Sequence, residues 1–313
     1  AALVAAGCGS SEDGAAAPAQ PEPMGKPADF PQSHGRTMAQ LRVASSGQSL
    51  VFSPSVQQLR RGINRYGFAI FDTARKQVTG AKVALYVARE DGTHLRGPYM
   101  ARSESLKVDG PFQSRTTASD EEAAKAIYVA DVPFWRRGRN VVTAIAKLDG
   151  RLIGTNGFTV EVDRPGPAPP DVGEPAVRVH TRTLADVGGN ASAIDTRTPP
   201  ATDLLKTDLA DVLGRKPVVL TFATPALCAS RVCGPVVDIV EQAKSRAPAG
   251  IAFIHQEIYR DNQVNNGVQP PVSAWHLPSE PWTFLIDRSG RVAARFEGAF
   301  SVGELERAIA KLK

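Results

Sequence analysis

The sequence predicts a multidomain chain, with an all-β first half followed by an α/β second half. Between Ser49 and Val162 the apolar residues alternate or run in strand-length segments, with no long helical period. From Val177 onward, strand-like and helix-like runs take turns. Between the halves lies "DRPGPAPPDVGEP", Asp163 to Pro175, whose prolines forbid regular helix and make a semi-rigid spacer. The expected division is residues 1–8 as the end of a leader, 9–47 as a flexible tether and 48–163 as the β domain. Residues 164–176 form the linker and 177–313 the α/β domain.

At 313 residues and 42% apolar content the chain can bury two cores. The net charge of +5 is scattered, and its densest spots are Arg60-Arg61 and "FWRRGRN", Phe134 to Asn140. Such clusters read as solvated loops with at most a weak pull toward anionic lipid. No RNA-recognition, zinc-finger or helix-turn-helix pattern is present, so no nucleic-acid partner is expected. P-loop, GxGxxG, HExxH and GxSxG signatures are absent as well.

The chain opens "AALVAAGCGSSEDG", an apolar run that ends at Ala6-Gly7-Cys8 and then turns polar. It resembles the end of a bacterial lipoprotein signal, with Ala5 in the aliphatic slot. That resemblance implies that Cys8 becomes the lipidated first residue of an extracytoplasmic protein anchored to the cell membrane. The opening lacks Met, so the start of the leader is expected to be missing. The plain alternative is an Ala-rich tail. No other segment is apolar enough to cross a bilayer.

In the β half the strand candidates are "YGFAIFD", "AKVALYVA", "AIYVADV", "VVTAIAKL" and "GFTVEV", separated by turn signals. "KLDGRLI" reads as a hairpin on Asp149-Gly150. These features predict an immunoglobulin-like β-sandwich that offers no site of its own and serves as spacer or docking surface.

In the second half, "DLLKTDLADVLG" (Asp203 to Gly214) predicts a helix from leucines at fourfold spacing. "PVVLTFAT" is a continuous apolar run, as a strand buried on both faces would be. "GPVVDIVEQAKSR" is a helix with Pro235 in its first turn, and "IAFIHQEI" is the next strand. "PWTFLID" and "VAARFEG" form a hairpin, and "SVGELERAIAKL" closes the chain as a helix with Ser301 and Glu304 as a capping box.

This order, with "VLTFAT", "CGPV" and "EPWTFLIDRSGRVAARFEGA", resembles the thioredoxin-like superfamily, nearest to exported TlpA/redoxin-type domains. The resemblance covers 177–313, under half of the chain. Thioredoxins carry C-G-P-C. Here Cys233-Gly234-Pro235 match and Val236 stands in the place of the second cysteine, so an ordinary CxxC cycle cannot run. Cys228, with Ala229 to Val232 between, supplies a second thiol, and that loop can bring the two Cα atoms to roughly 4.4–6.8 Å.

Cys233 at a helix start and next but one to Arg231 is the expected attacking thiol, with Cys228 its partner. The reverse stays open, because "TPALC" loosely resembles the T-x-x-C loop of peroxiredoxins, one residue longer. The family likeness further implies a cis Pro281 opposite the thiols. Glu280, Trp282 and Pro235 would shape substrate binding around it. The reaction implied is thiol–disulfide exchange with protein thiols or disulfides, needing no cofactor beyond the redox-active disulfide.

Two other readings compete. The pair can be an oxidised clip without turnover, as in many extracytoplasmic proteins. Alternatively, two thiolates and a histidine, His255 or His276, would bind Cu(I). Sco-type copper chaperones share the fold, with a C-x3-C spacing one residue shorter. His255 and Glu257, two apart on a strand, point the same way and would serve proton transfer or metal binding. The plain reading of that couple is a polar pair at a fraying strand end.

Overall fold

The computed structural model describes residues 20–45, 48–228 and 231–312. The Cys8 expectation therefore lies outside the described residues. The chain is β-rich, with two sheets and few helices.

The first sheet is built from β1 (Gln48–Pro54), β2 (Gly62–Phe71), β3 (Lys82–Arg89), β4 (Arg96–Met100) and β5 (Arg102–Ser105). It continues with β6 (Ala126–Phe134), β7 (Gly138–Leu148), β8 (Arg151–Thr155) and β9 (Phe158–Val162). Its order is β4-β3-β7-β8-β1-β2-β6-β5, with β9 also on β7. The β7–β8 hairpin turns at Asp149-Gly150, both at positive φ, as the sequence predicts. Alternate residues of β2 (Tyr66, Phe68, Ile70) and β6 (Tyr128, Ala130, Val132) share one core with Val83, Leu85, Val142 and Ala144. Strands at opposite ends of the ladder thus meet across a common apolar layer.

The run "VALYVA" of β3 is buried on both faces, which requires a second cover. The segment expected to be a flexible tether provides it. Helix α1 (Met38–Val43) is capped by Thr37, which accepts from the Gln40 N–H, and Phe30, Met38 and Leu41 are buried against Ala84, Tyr86, Ala88 and Ile145. Tyr86 donates to the Pro31 carbonyl at 2.7 Å. Within 26–45 the tether expectation is corrected. Three apolar side chains in a polar background suffice, because each meets an apolar strand face that would otherwise be exposed.

The second sheet has the order β11-β10-β12-β13, where β10 is Val218–Ala223, β11 Ala252–Glu257, β12 Trp282–Ile286 and β13 Val292–Glu297. Strands β10 and β11 are parallel; the other two pairings are antiparallel. In the β5–β6 connection lies the short helix α2 (Arg115–Ala118). It is followed along the chain by α3 (Leu209–Val212), α4 (Cys233–Arg246), α5 (Pro270–Ala274) and α6 (Val302–Ile309). One sheet face packs on α4 and α6, the other on Leu209, Val272 and Trp275, so β10 is buried at every position.

The helix expected over Asp203 to Gly214 is a 3-10 turn (Thr202–Leu204) followed by the four-residue α3. The cause is Asp208: its carboxylate accepts from the Ala210 and Thr181 N–H groups and starts a new helix inside the expected one. Ser301 does cap α6, but Glu304 does not complete the capping box. Its carboxylate is taken by Arg65, with two contacts of 2.7 Å, and by Arg102 at 3.2 Å. Burial opposes the charge on Glu304, yet the Arg65 guanidinium holds its pKa below the usual range.

That ion cluster joins the first sheet to α6. Leu106, Val108, Ile127 and Val129 of the first region share a core with Val236, Val240 and Leu305 of the second. Glu297 at the end of β13 accepts from the Gln57 and Gln58 N–H groups at 2.8 and 2.9 Å. Beside it Gly298, at φ +75°, approaches Ser55 so closely that a Cβ would lie 2.7 Å from the Ser55 Cβ. The proline-rich spacer runs along this contact, with Asp171 paired to Arg60 and Arg295.

Candidate functional site

Helix α4 starts at Cys233, and Val232 is its N-cap residue. Cys228 ends the turn that leaves β10, so strand and helix together bring the two sulfurs face to face. They are bonded, with Cα atoms 5.9 Å apart and a sequence separation of 5. The pair sits where the helix's unpaired N–H groups favour negative charge, a setting that stabilises a thiolate on Cys233 once the bond opens.

The two cysteines differ in depth. Cys233 is 0% exposed, in the core shared by the two regions; Cys228 is 9% exposed and lines a cleft of about 390 Å³. The cleft's walls come from both regions: Pro225, Ala226 and Leu227 on one side, Thr116, Thr117 and Asp120 on the other. Pro235 and Arg231 also line it. Its outer continuation reaches Thr196, Thr198 and Arg115.

Thr116, Thr117 and Asp120 belong to the β5–β6 connection, which crosses from the first sheet to the start of α4. Ser114 pins it, donating from N–H and Oγ to Asp238 Oδ2, each at 3.1 Å. Arg197 holds the other Asp238 oxygen at 2.8 Å and donates to the Phe112 carbonyl at 2.8 Å. Burial pushes the Asp238 carboxyl up, with the Arg197 charge opposing it. Further out, the Arg115 N–H donates to the Thr198 carbonyl at 2.7 Å. Gly234 leaves room for this strap, since a Cβ there would lie 2.9 Å from Thr117 Oγ1. Sequence reasoning missed the strap entirely.

Arg231, expected to lower a thiol pKa, lies against Asp120 at 2.8 Å and Glu122 at 3.1 Å. Its charge is balanced by those carboxylates, which leaves the helix start as the main influence on Cys233.

His255 and Glu257 lie at the carboxyl end of β11, as expected, but they are core residues and not a fraying surface pair. His255 donates from Nε2 to the Ala223 carbonyl at 3.1 Å, and its Nδ1 faces Asp195 Oδ2 at 3.6 Å. Burial works against its positive charge, but the Asp195 carboxylate prevails and the imidazole pKa is pushed up to about 9. Asp195 is held below its usual value against the same burial, by His255 and by the N–H groups of Arg197 and Ala201. Glu257 is pushed up by burial, with His255 opposing.

Thr196 ties this group to the cysteine turn: its Oγ1 donates to Glu257 Oε2 at 2.9 Å and accepts from the Ala226 N–H at 3.1 Å. Asp195, His255 and Glu257 are, among the described residues, the group whose ligand atoms come within 4.8 Å of one another. Neither cysteine belongs to it. Each carboxylate oxygen in the trio already accepts a backbone N–H, so the arrangement is that of a sealed ion pair. His276 is exposed in the loop after α5, outside that group.

The Glu280–Pro281 bond is cis. Pro281 is buried at the start of β12, and neither it nor its neighbours line the cleft beside Cys228. Glu280 is half-buried, and burial raises its carboxyl pKa. Trp282, expected to face substrate, is 1% exposed and stacks on Phe284 with ring centroids 5.5 Å apart. Its indole N–H donates to Ser279 Oγ at 3.0 Å, which makes it a core residue.

Neither a known family model nor a curated protein matches this chain.

Proposed function

We propose that this chain is an extracytoplasmic thiol–disulfide oxidoreductase, tethered to the membrane through lipid on Cys8. In this reading 177–313 is a thioredoxin-like domain and 48–163 an immunoglobulin-like sandwich that braces it. One observation carries the proposal: Cys228 and Cys233 are bonded across the start of a 14-residue helix, with Cys228 lining a solvent cleft. The parallel β10–β11 pair, the antiparallel β12–β13 hairpin and the cis peptide at Pro281 support the domain reading.

The chemistry is two exchanges. Because Cys233 is enclosed, the roles proposed are the reverse of those expected from the sequence: an incoming thiolate attacks Cys228 Sγ, forms a new S–S bond and expels Cys233 as a thiolate at the helix start. A second substrate thiolate then attacks the substrate sulfur of the mixed disulfide and expels Cys228. Two substrate thiols are oxidised to a disulfide, and the protein pair is reduced to the dithiol. Run backwards, the same steps reduce a disulfide.

The test is an equilibrium titration of the pair against dithiothreitol, followed by thiol alkylation and mass, with and without Cu(I). A reversible transition in the range of exchange proteins, about −270 to −120 mV, is expected. A pair resisting reduction below about −300 mV would make it a structural clip, the reading that the full burial of Cys233 favours. Stoichiometric Cu(I) retention by the reduced protein, lost in His255→Ala or His276→Ala, would replace exchange by copper binding. Cys8 is tested separately, by detergent partition of the full chain against Cys8→Ser.

A further inference from the structure

We infer that the cleft beside Cys228 selects small polar thiols and shuts out thiols carried on folded proteins. The strap at 112–123 is the selecting element. The inference rests on the exchange reading above and names the substrate class of that same site.

Attack on a disulfide requires the nucleophile to approach one sulfur along the S–S axis, opposite the leaving sulfur. Cys233 is fully enclosed, so the attacked atom is Cys228 Sγ and Cys233 is the leaving thiolate. The way to Cys228 is a cleft of about 390 Å³, toward the small end of the roughly 300–1,000 Å³ typical of small-molecule sites. Its mouth is bounded by Thr116, Thr117 and Asp120 on the strap and by Pro225 to Leu227 on the β10 turn. Hydroxyls, a carboxylate and the Arg231 guanidinium line it, which suits a polar thiol better than an apolar one.

The strap is fixed at several points. Ser114 and Arg197 hold its start on Asp238, which is 0% exposed. The Thr198 N–H donates to Thr116 Oγ1 at 2.9 Å, and Asp120 holds Arg231 at its far end. The cis-proline segment is covered on its β13 side and lines no part of this cleft. Glu297 and Gly298, which hydrogen-bond or abut that segment, are packed against Gln57, Gln58 and Ser55 of the first region. A protein loop laid across Cys228 therefore meets backbone anchored by buried charge.

The experiment uses the full oxidised chain and a series of reductants of rising size at matched thiolate concentration. The series is cysteine, glutathione, a thiol-ended polyethylene glycol of several kilodaltons, and a folded protein with one surface thiol. Glutathione is expected to open the disulfide roughly a hundredfold faster than the folded protein. Equal rates across the series would overturn the inference while leaving exchange intact. Failure of dithiothreitol and glutathione alike would instead overturn exchange, and the inference with it. A second variant replaces 115–122 by a Gly-Ser segment of equal length, which should close the gap to within a few-fold. If that variant folds and the gap persists, the strap is not the selector; if it does not fold, the size series on the unaltered chain decides.

Discussion

Two groups of reactive side chains lie at the carboxyl ends of β10 and β11, and they are built in opposite ways. The cysteine pair has Cys228 on the wall of a cleft and Cys233 packed among apolar side chains. The Asp195–His255–Glu257 group carries formal charges, is at most 1% exposed, and has its carboxylates tied to backbone N–H groups. The first is arranged to be reached, the second to be left alone. Thr196, hydrogen-bonded to Glu257 and to the Ala226 N–H in the turn before Cys228, is where they meet. The lesson is that reactive residue types at a strand end do not by themselves make a site; access separates them.

The largest expected effect tests that access directly. In Cys233→Ser the remaining Cys228 thiol should react with iodoacetamide and trap a mixed disulfide. In Cys228→Ser the buried Cys233 should react roughly a hundredfold more slowly in the folded protein. Similar rates would show that the strap and core open readily and would erase the distinction. Both variants also lose the loop-closing bond, worth about 2 kcal/mol by chain entropy for so short a loop. Denaturant melts of each variant separate that loss from reactivity.

Next in size is Asp195→Ala. It leaves the His255 imidazolium in the core without its counter-charge, a change that costs about 3–5 kcal/mol for a buried pair. Urea unfolding measures it, and a loss below about 1 kcal/mol would mean that His255 sits neutral. The same pair sets a pH dependence. His255 rises from an ordinary value of 6.5 to about 9 on folding, so its contribution is complete below pH 6.5 and is lost as pH climbs toward 9. Glu257 is raised by burial, which also makes stability fall with rising pH, beginning near its ordinary 4.5. His255→Gln should flatten the slope between pH 6.5 and 9, read from melting temperature; a slope unchanged by the substitution would remove His255 as its source.

The contrast between the two groups was only half legible in the sequence. Cys228, Cys233 and Pro235 could be placed because their relations are local: a strand run, a short turn and a helix start within a few residues. The apolar run of β10 likewise announced burial on both faces. Asp195 and Thr196 carried no such signal, since Glu257 lies 61 residues beyond Thr196 and His255 lies about as far beyond Asp195 along the chain. Ser114 finds Asp238 at a separation of 124 and Arg65 finds Glu304 at 239. Pairings of that range leave no period in the chain, so the strap, the joining of the two sheets and the lost capping box were all invisible. The burial of Trp282 was hidden as well: a Trp beside a proline reads the same whether it faces substrate or packs in the core with Trp275 and Phe284.

The smallest expected effect lies at the junction. Thr196→Val keeps the side chain's shape and removes one hydroxyl that donates to Glu257 and accepts from the Ala226 N–H. Glu257 retains the Thr196 and Ile258 N–H groups, so its loss is partial; the Ala226 N–H loses its hydroxyl partner. Two hydrogen bonds at about 0.5–1.5 kcal/mol each bound the change in stability. If the charged group steadies the cleft through Thr196, the Pro225–Cys228 wall should loosen, and amide exchange at Ala226 and Leu227 should quicken by about tenfold while exchange in β11 stays slow. Exchange quickening equally in β11 would mean that the two groups form one unit, and the division between a reachable site and a sealed one would have to be redrawn.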